Sequence, residues 1–167
     1  RNGIQVYYCG NSASTSIKKI IKNNTIQNCI GTGLLMYASG GNVNMNEISN
    51  NDIGVKLLNN CNISSFNGIC YATNGSATQY IHENDSYEIY MSSACNPQIF
   101  RYNIIEDNDS IPYIFYDGLV GFGTITPPAV RAHKVDVTYN NWGSNFNADQ
   151  HLVSNVEVTF LNSPIWN

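Results

Sequence analysis

The stretch Gly33–Asp52, GLLMYASGGNVNMNEISNND, decides the fold of this chain. It begins with a glycine and apolar residues spaced two apart, the period of a strand with one buried face. It ends in the motif Asn46–Asn50 (NEISN), and a second glycine-led run, Gly54–Leu57 (GVKL), follows almost at once. The stretch therefore predicts one repeat unit built from short strands and tight turns.

Both halves of this unit recur along the chain. The copies of the glycine-led strand are Gly3–Val6, Gly33–Met36 and Gly54–Leu57. The copies of the motif Asn-x-Ile-x-Asn/Asp are Asn24–Asn28, Asn46–Asn50 and Asn103–Asp107. Repeats of 20–30 residues are typical of solenoids, in which each unit covers the apolar face of its neighbour.

The composition of the repeats favours strands over helices. The apolar runs are too short for helices, and Asn, Gly and Ile take the place of Ala, Leu, Glu and Lys. The chain has 26 Asn among 167 residues. Asn tolerates the left-handed backbone of tight corners, and its amide can bond to an Asn one repeat away. We therefore predict an all-β fold, a right-handed parallel β-helix with a C-terminal cap.

Length and charge limit the classes of function. The length fits one domain, with β-helix coils over residues 1–134 and a last coil with a Trp-containing cap over 135–167. The net charge of −4, with few charges of either sign, argues against nucleic acid as a partner. No run of 18 apolar residues is present, so no membrane span is expected. The chain starts at Arg1 and not at Met, so we expect it to be part of a larger chain or assembly, with further coils preceding it.

Two cysteine arrangements remain open. The five cysteines contain no CxxC pair, and no His stands near enough in sequence to suggest a zinc knuckle. They are either buried thiols in the stack of coils or include one or two disulfides. The pairs Cys9–Cys29 and Cys61–Cys70 would be the candidates.

A second pair of similar stretches predicts an acidic stack. Ile81–Ser86 aligns with Ile105–Ser110 at an offset of about 24 residues. This register places Glu83 and Asp85 one coil below Asp107 and Asp109, and neighbouring coils are about 4.8 Å apart. Close carboxylates need solvent or a shared cation, and oxygen-rich clusters suit Ca²⁺. The stack is thus a candidate calcium site, and exposed turn residues are the alternative. We expect no other cofactor.

Three tyrosines are candidate ligand-binding residues. Outward-facing Tyr90, Tyr113 and Tyr116 could form a shallow stripe that binds glycans, and half-buried packing is the alternative. No Ser-His-Asp order, nucleophile elbow, phosphate-binding loop or dinucleotide motif is present, so we predict no catalytic residues.

The C-terminal segment carries a resemblance to a known class. Asn140–Ser144 (NNWGS) is followed about twenty residues later by Pro164–Trp166 (PIW). This arrangement resembles the closing segment of right-handed parallel β-helix repeat proteins of the pectate-lyase-like and NosD-like superfamily. It is most similar to β-helix regions of large secreted bacterial surface proteins, including type IX secretion cargo. The predicted cap residues are Asn141, Trp142, Gly143, Pro164 and Trp166, and a sugar-stacking platform is the alternative for the two tryptophans.

The resemblance implies a fold and an extracellular or cell-surface setting but not one activity. We expect a non-enzymatic rigid segment of a secreted or cell-surface bacterial protein: an adhesin, a stalk or a secretion cargo. Its partners would be cell-surface glycans or other surface and secretion proteins. The alternative is a carbohydrate-active enzyme or carbohydrate-binding module, a polysaccharide lyase or a glycoside hydrolase. In such enzymes a basic residue takes the sugar proton beside bound calcium, and Arg101, His82 and Lys134 are the candidates here.

Overall fold

The computed structural model describes residues 1–9, 20–59, 61, 63–67, 79–92, 95, 100–108, 110–117, 133–155 and 158–163. The described part consists of short strands and one short helix, α1 (Ala148–His151). The strands are β1 (Ile4–Tyr7), β2 (Ile20–Lys22), β3 (Thr25–Gln27), β4 (Thr32–Tyr37), β5 (Gly41–Asn44), β6 (Glu47–Ser49), β7 (Ile53–Leu58), β8 (Ile63–Asn67), β9 (Gln79–His82), β10 (Tyr87–Ser92), β11 (Phe100–Arg101), β12 (Asn103–Glu106), β13 (Ile114–Asp117), β14 (His133–Asp136), β15 (Leu152–Ser154) and β16 (Val158–Leu161). No helix in these ranges is long and apolar enough to cross a membrane.

The strands form parallel sheets that the chain visits in turn. Sheet A has the order β1-β4-β7-β10-β13-β15, sheet B the order β2-β5-β8-β11 and sheet C the order β3-β6-β9-β12. From β2 to β13 the chain visits sheets B, C and A in succession, and each strand from β1 to β10 pairs with the strand three places later. We call one such passage a round. A fourth sheet joins β14 to β16. The protein is thus all-β with parallel sheets, which is compatible with a β-helix-like fold.

The glycine-led strands lie side by side in sheet A. Ile4 pairs with Leu34, and Leu34 pairs with Val55, so the preceding residues Gly3, Gly33 and Gly54 form a line across the sheet. A Cβ atom on Gly33 would lie only 2.9 Å from the carbonyl oxygen of Gly54 and 2.9 Å from the side chain of Ile48. Glycine is needed in this line because the backbones of successive rounds and the core side chains approach so closely.

The isoleucine of the second motif forms the core beneath sheet C. Ile26 pairs with Ile48, Ile48 with Ile81, and Ile81 with Ile105. All four side chains are buried in one continuous hydrophobic cluster. Sheet B adds the stacked rings of Phe66 and Phe100, whose centroids are 5.0 Å apart. This confirms the prediction from the sequence that the apolar residues of these motifs form the buried face of the strands.

The asparagines fill both predicted roles, at tight corners and in an amide ladder. In the described residues only four of the ten non-glycine residues with positive φ are Asn, and the others include Ala38 and Glu83. The buried asparagines follow such corners directly, as Asn46 and Asn51 do, and bond from round to round. Asn51 accepts from the Cys29 backbone N–H and donates to the Asn84 Oδ1. The predicted amide ladder is therefore present, but it lies inside the molecule.

Two further details differ from expectation. The alignment of Ile81–Ser86 with Ile105–Ser110, continued into the next strand, places Ile89 beside Tyr113, whereas the structure pairs Ile89 with Ile114. Cys9, Cys29 and Cys61 are free thiols, so neither predicted disulfide is formed. Residue 70 lies outside the described ranges.

Candidate functional site

A cleft of about 120 Å³ opens where β9 and β12 end at sheet C. Side chains of two successive rounds and the segment after β14 meet there. The lining residues are Tyr80, His82, Glu83, Glu106, Asp107, Asn108, Gly143, Ser144 and Asn145. An adjoining groove is lined by Glu83, Asn84, Asp85, Asp107 and Asn108. The surface is mixed aromatic and acidic, which suits a polar ligand.

Two aromatic rings of β9 form one wall of the cleft. Tyr80 and His82 lie two residues apart on either side of the buried Ile81, so both face outward. Their rings stack with centroids 3.8 Å apart, and the Tyr80 hydroxyl donates to the Glu106 Oε1 at 2.7 Å. Burial raises the pKa of Tyr80, and the bond to Glu106 adds to this effect. Tyr80 is therefore a neutral hydrogen-bond donor at physiological pH.

His82 lies between two carboxylates. Its Nε2 is 3.7 Å from the Glu47 Oε1, and its Nδ1 is 3.5 Å from the Glu83 Oε2. The imidazole is only 14% exposed, and its Nε2 has no hydrogen-bond partner in the described part of the chain. The imidazole of His82 thus brings Glu47 and Glu83 together at one wall of the cleft.

The predicted acidic stack is partly assembled. The register of β9 with β12 places Glu83 one round from Asp107, as the sequence alignment indicated, and both line the cleft. Asp85 lines only the adjoining groove, and Asp109 lies outside the described residues. Within the described ranges no group of three or more His, Cys, Asp or Glu side chains could hold a metal ion.

A buried carboxyl beneath the cleft was not anticipated from the sequence. Glu88 is fully buried and accepts hydrogen bonds from the backbone N–H and the Nδ2 of Asn84. Loss of solvent raises the pKa of Glu88 to about 9, and a hydrogen bond with Asp107 contributes. At neutral pH Glu88 is therefore protonated. The one sign of this buried carboxyl in the sequence is that Glu88 is the single polar residue of Tyr87–Met91 apart from the tyrosine hydroxyls.

Of the predicted cap residues, Gly143 lines the cleft, and Asn141 holds the turn in which Gly143 lies. The Asn141 Oδ1 accepts from the Gly143 N–H at 2.9 Å, which closes a tight turn. Gly143 has φ of +69°, and a Cβ atom there would lie 2.7 Å from the Glu106 Oε2. Glycine is required for both reasons, and its absent side chain leaves room for the carboxylate of Glu106.

Of the remaining predicted cap residues, Trp142 lies in the described part of the chain. Trp142 is fully buried, and its ring stacks on Phe146 with centroids 5.0 Å apart. Burial excludes Trp142 as a sugar-stacking platform and gives it a packing role. Pro164 and Trp166 lie outside the described residues.

The predicted tyrosine stripe does not form. Tyr113 and Tyr116 are 0% and 2% exposed, and the Tyr113 ring stacks on His151 with centroids 4.2 Å apart. The reason is the register of β10 with β13, which turns Phe115 outward beside Tyr90 and Tyr116 inward beside Met91. Tyr90 is half-buried, bonds to Asp117 and lies under the Lys56 ammonium.

Of the two predicted basic residues whose side chains the structure describes, His82 lies beside Glu83 of the acidic stack and Arg101 does not. Arg101 forms an ion pair with Asp136 at 2.8 Å, and its guanidinium lies over the Tyr139 ring. The pKa of Asp136 is lowered by its hydrogen bonds to Thr138 and Arg101, against the opposing effect of burial. The side chain of Lys134 lies outside the described part.

No protein-family model matches the chain, and neither a curated protein nor a solved structure matches it. The fold and the site alone therefore define its class. It is an all-β protein of parallel sheets, compatible with a β-helix-like fold, with an aromatic and acidic cleft beside sheet C.

Proposed function

We propose that this chain is a right-handed parallel β-helix solenoid that serves as a non-enzymatic, rigid segment of a secreted or cell-surface bacterial protein. Such a segment would act as an adhesin, a stalk or a secretion cargo. The observation that carries the proposal is the buried amide ladder between rounds. Asn24 donates to Asn46, and Asn46 donates to Gln79, all in register.

The ladder supports rigidity for a physical reason. Each amide satisfies backbone groups of its neighbours as well as the next amide, as Asn46 does with the Asn24 N–H and the Ile21 carbonyl. A slip of one residue would leave all these buried groups unpaired, which costs about 1–3 kcal/mol for each. The resemblance of the NNWGS segment to the ends of secreted β-helix regions supports the extracellular setting.

A screen for polysaccharide cleavage tests the non-enzymatic part of this proposal. The protein is incubated with polygalacturonate, alginate and related polymers, with and without Ca²⁺, and both unsaturated products and reducing ends are measured. We expect neither to form. Cleavage that Asp107→Asn abolishes and that the exposed-site control Asp149→Asn retains would overturn the proposal in favour of an enzyme.

The cleft favours a second candidate function, the binding of a saccharide. Tyr80 offers an aromatic surface, and Glu106 and Asn108 offer polar atoms at the same opening. Saccharide sites combine a stacking ring with a few fixed hydrogen-bonding groups, and a volume of about 120 Å³ suits one sugar ring at the end of a chain. Binding would make this segment an adhesin rather than a passive stalk.

Calorimetric titration with a panel of oligosaccharides tests the cleft. We expect Tyr80→Leu to weaken binding by at least about tenfold, because it removes both the ring and the hydroxyl. Tyr90→Leu is the matched control, since Tyr90 also bonds to a carboxylate through its hydroxyl but lies on sheet A. Equal weakening by both variants, or no binding by the wild type, would contradict this second candidate.

A further inference from the structure

Cys61 and Cys95 occupy equivalent positions in successive rounds. Leu57 pairs with Met91 in sheet A. Cys61 stands four residues after Leu57, and Cys95 stands four residues after Met91. Both cysteines are fully buried. The Cys61 backbone N–H donates to the Cys95 Sγ at 3.3 Å, so one thiol lies directly against the backbone of the other residue.

This spacing is compatible with a covalent bond between the two sulfurs. Neighbouring parallel strands are about 4.8 Å apart, and disulfides require Cα atoms about 4.4–6.8 Å apart. All four cysteines in the described part of the chain, Cys9, Cys29, Cys61 and Cys95, are free thiols in this structure.

The surroundings give the two thiols unequal reactivity. The hydrogen bond from Cys95 lowers the pKa of Cys61 to about 7, and the same contact together with burial raises the pKa of Cys95. Cys61 is thus the sulfur that ionises first and attacks first.

We propose that Cys61 and Cys95 are a redox pair that forms a disulfide between two successive rounds when an oxidant of the glutathione disulfide class is present. The Cys61 thiolate attacks one sulfur of the oxidant, forming a mixed disulfide and releasing one glutathione thiolate. The Cys95 thiolate then attacks the Cys61 sulfur, which completes the bond and releases the second glutathione. The two cysteines lose two protons and two electrons, and the oxidant takes them up as two thiols.

Thiol counting on the wild-type chain tests the proposal. The protein is refolded in a buffer of reduced and oxidised glutathione, and a second sample is incubated natively in the same buffer, because buried thiols react only when the structure opens. Both are then labelled with N-ethylmaleimide in denaturant. The sequence contains five cysteines. We expect five labels on the reduced protein and three on the oxidised protein, with a Cys61–Cys95 peptide in the digest.

Matched variants assign the bond. Cys61→Ser and Cys95→Ser should each keep four labels after oxidation, whereas Cys29→Ser should fall to two. The oxidised wild type should melt about 5–10 °C higher than the reduced protein, because the bond closes a long loop. Five labels in both oxidised samples, or a linked peptide with another cysteine in place of Cys61 or Cys95, would overturn the proposal.

Discussion

At the scale of single residues, the most unusual environment is that of Glu88. It continues the line of Gly3, Gly33 and Gly54 in the next round, since Ile89 pairs with Val55. Its carboxyl is inserted below the cleft, where Asn84 and Asp107 surround it. A buried acid at this point links the stability of the fold to pH.

Glu88 should make the protein less stable as pH rises. Its pKa is about 9 in the folded state and 4.5 for an ordinary glutamate, so the folded state holds more protons between these values. The stability present below about pH 4.5 is therefore lost progressively as pH rises toward 9, by at most about 1.4 kcal/mol per pH unit. Urea unfolding of the wild type and Glu88→Gln across this interval measures the effect.

The slope, and not the stability at one pH, is the decisive quantity for Glu88. Gln has a single acceptor oxygen and cannot accept from both the N–H and the Nδ2 of Asn84, as the carboxyl does, so the variant loses some stability at every pH. Asp149→Asn, which removes an exposed carboxylate outside this site, serves as control and should keep the slope of the wild type. An unchanged slope in Glu88→Gln would contradict the assignment of Glu88 as a buried, protonated acid.

At the scale of elements, the turns between sheets hold the rounds in register. Asn51 lies in the turn between β6 and β7 and bonds to the round before it and the round after it. It also donates to the Ile26 and Ser49 carbonyl oxygens. Strand pairing alone would permit slippage, because short strands with similar side chains specify register weakly. The inward amides remove that freedom.

Loss of one ladder amide should destabilise the fold strongly. We expect Asn51→Ala to lower the free energy of unfolding by about 2–4 kcal/mol, because it leaves the Cys29 N–H and several carbonyl groups without a partner. Chemical denaturation monitored by circular dichroism measures the change. Gln27→Ala, on the exposed face of β3, is the control and should change stability by less than about 0.5 kcal/mol. Equal effects of the two variants would argue against a structural ladder.

At the scale of the whole molecule, stability depends on how many neighbours each strand has. β7 and β10 pair on both sides and contribute buried Val55, Leu57 and Ile89 to the core. In the described part β1, β2 and β3 pair on one side only. The large exposed apolar side chains cluster near these edge strands; they include Tyr7, Tyr8, Ile20 and Ile30.

Hydrogen exchange should reveal this gradient. Amides of β7 and β10 should exchange at least about a hundredfold more slowly than those of β1 and β3, because the central strands open only when both neighbouring rounds separate. Mass spectrometry of peptides after exchange measures the rates. Uniform protection of all four strands would show that the chain opens as one unit.

The sequence by itself determined the features that depend on local patterns. The two-residue period of Gly33–Met36 and the Ile of each Asn-x-Ile motif predicted the inward faces, because alternation along a strand needs no knowledge of its partners. The register of Glu83 with Asp107 could also be predicted from the sequence, because the same separation along the chain relates every paired residue of β9 and β12.

Only the tertiary structure decided which residues meet across rounds of unequal length. Thr25 pairs with Glu47, Glu47 with Tyr80, and Ile104 lies beside Asn141, so each step uses a different separation along the chain. A change of one residue reverses the direction of every side chain in a strand. Three features therefore depend on spacings that the loops set and that local patterns do not encode. They are the buried Tyr113, the buried carboxyl of Glu88 and the contact of Cys61 with Cys95.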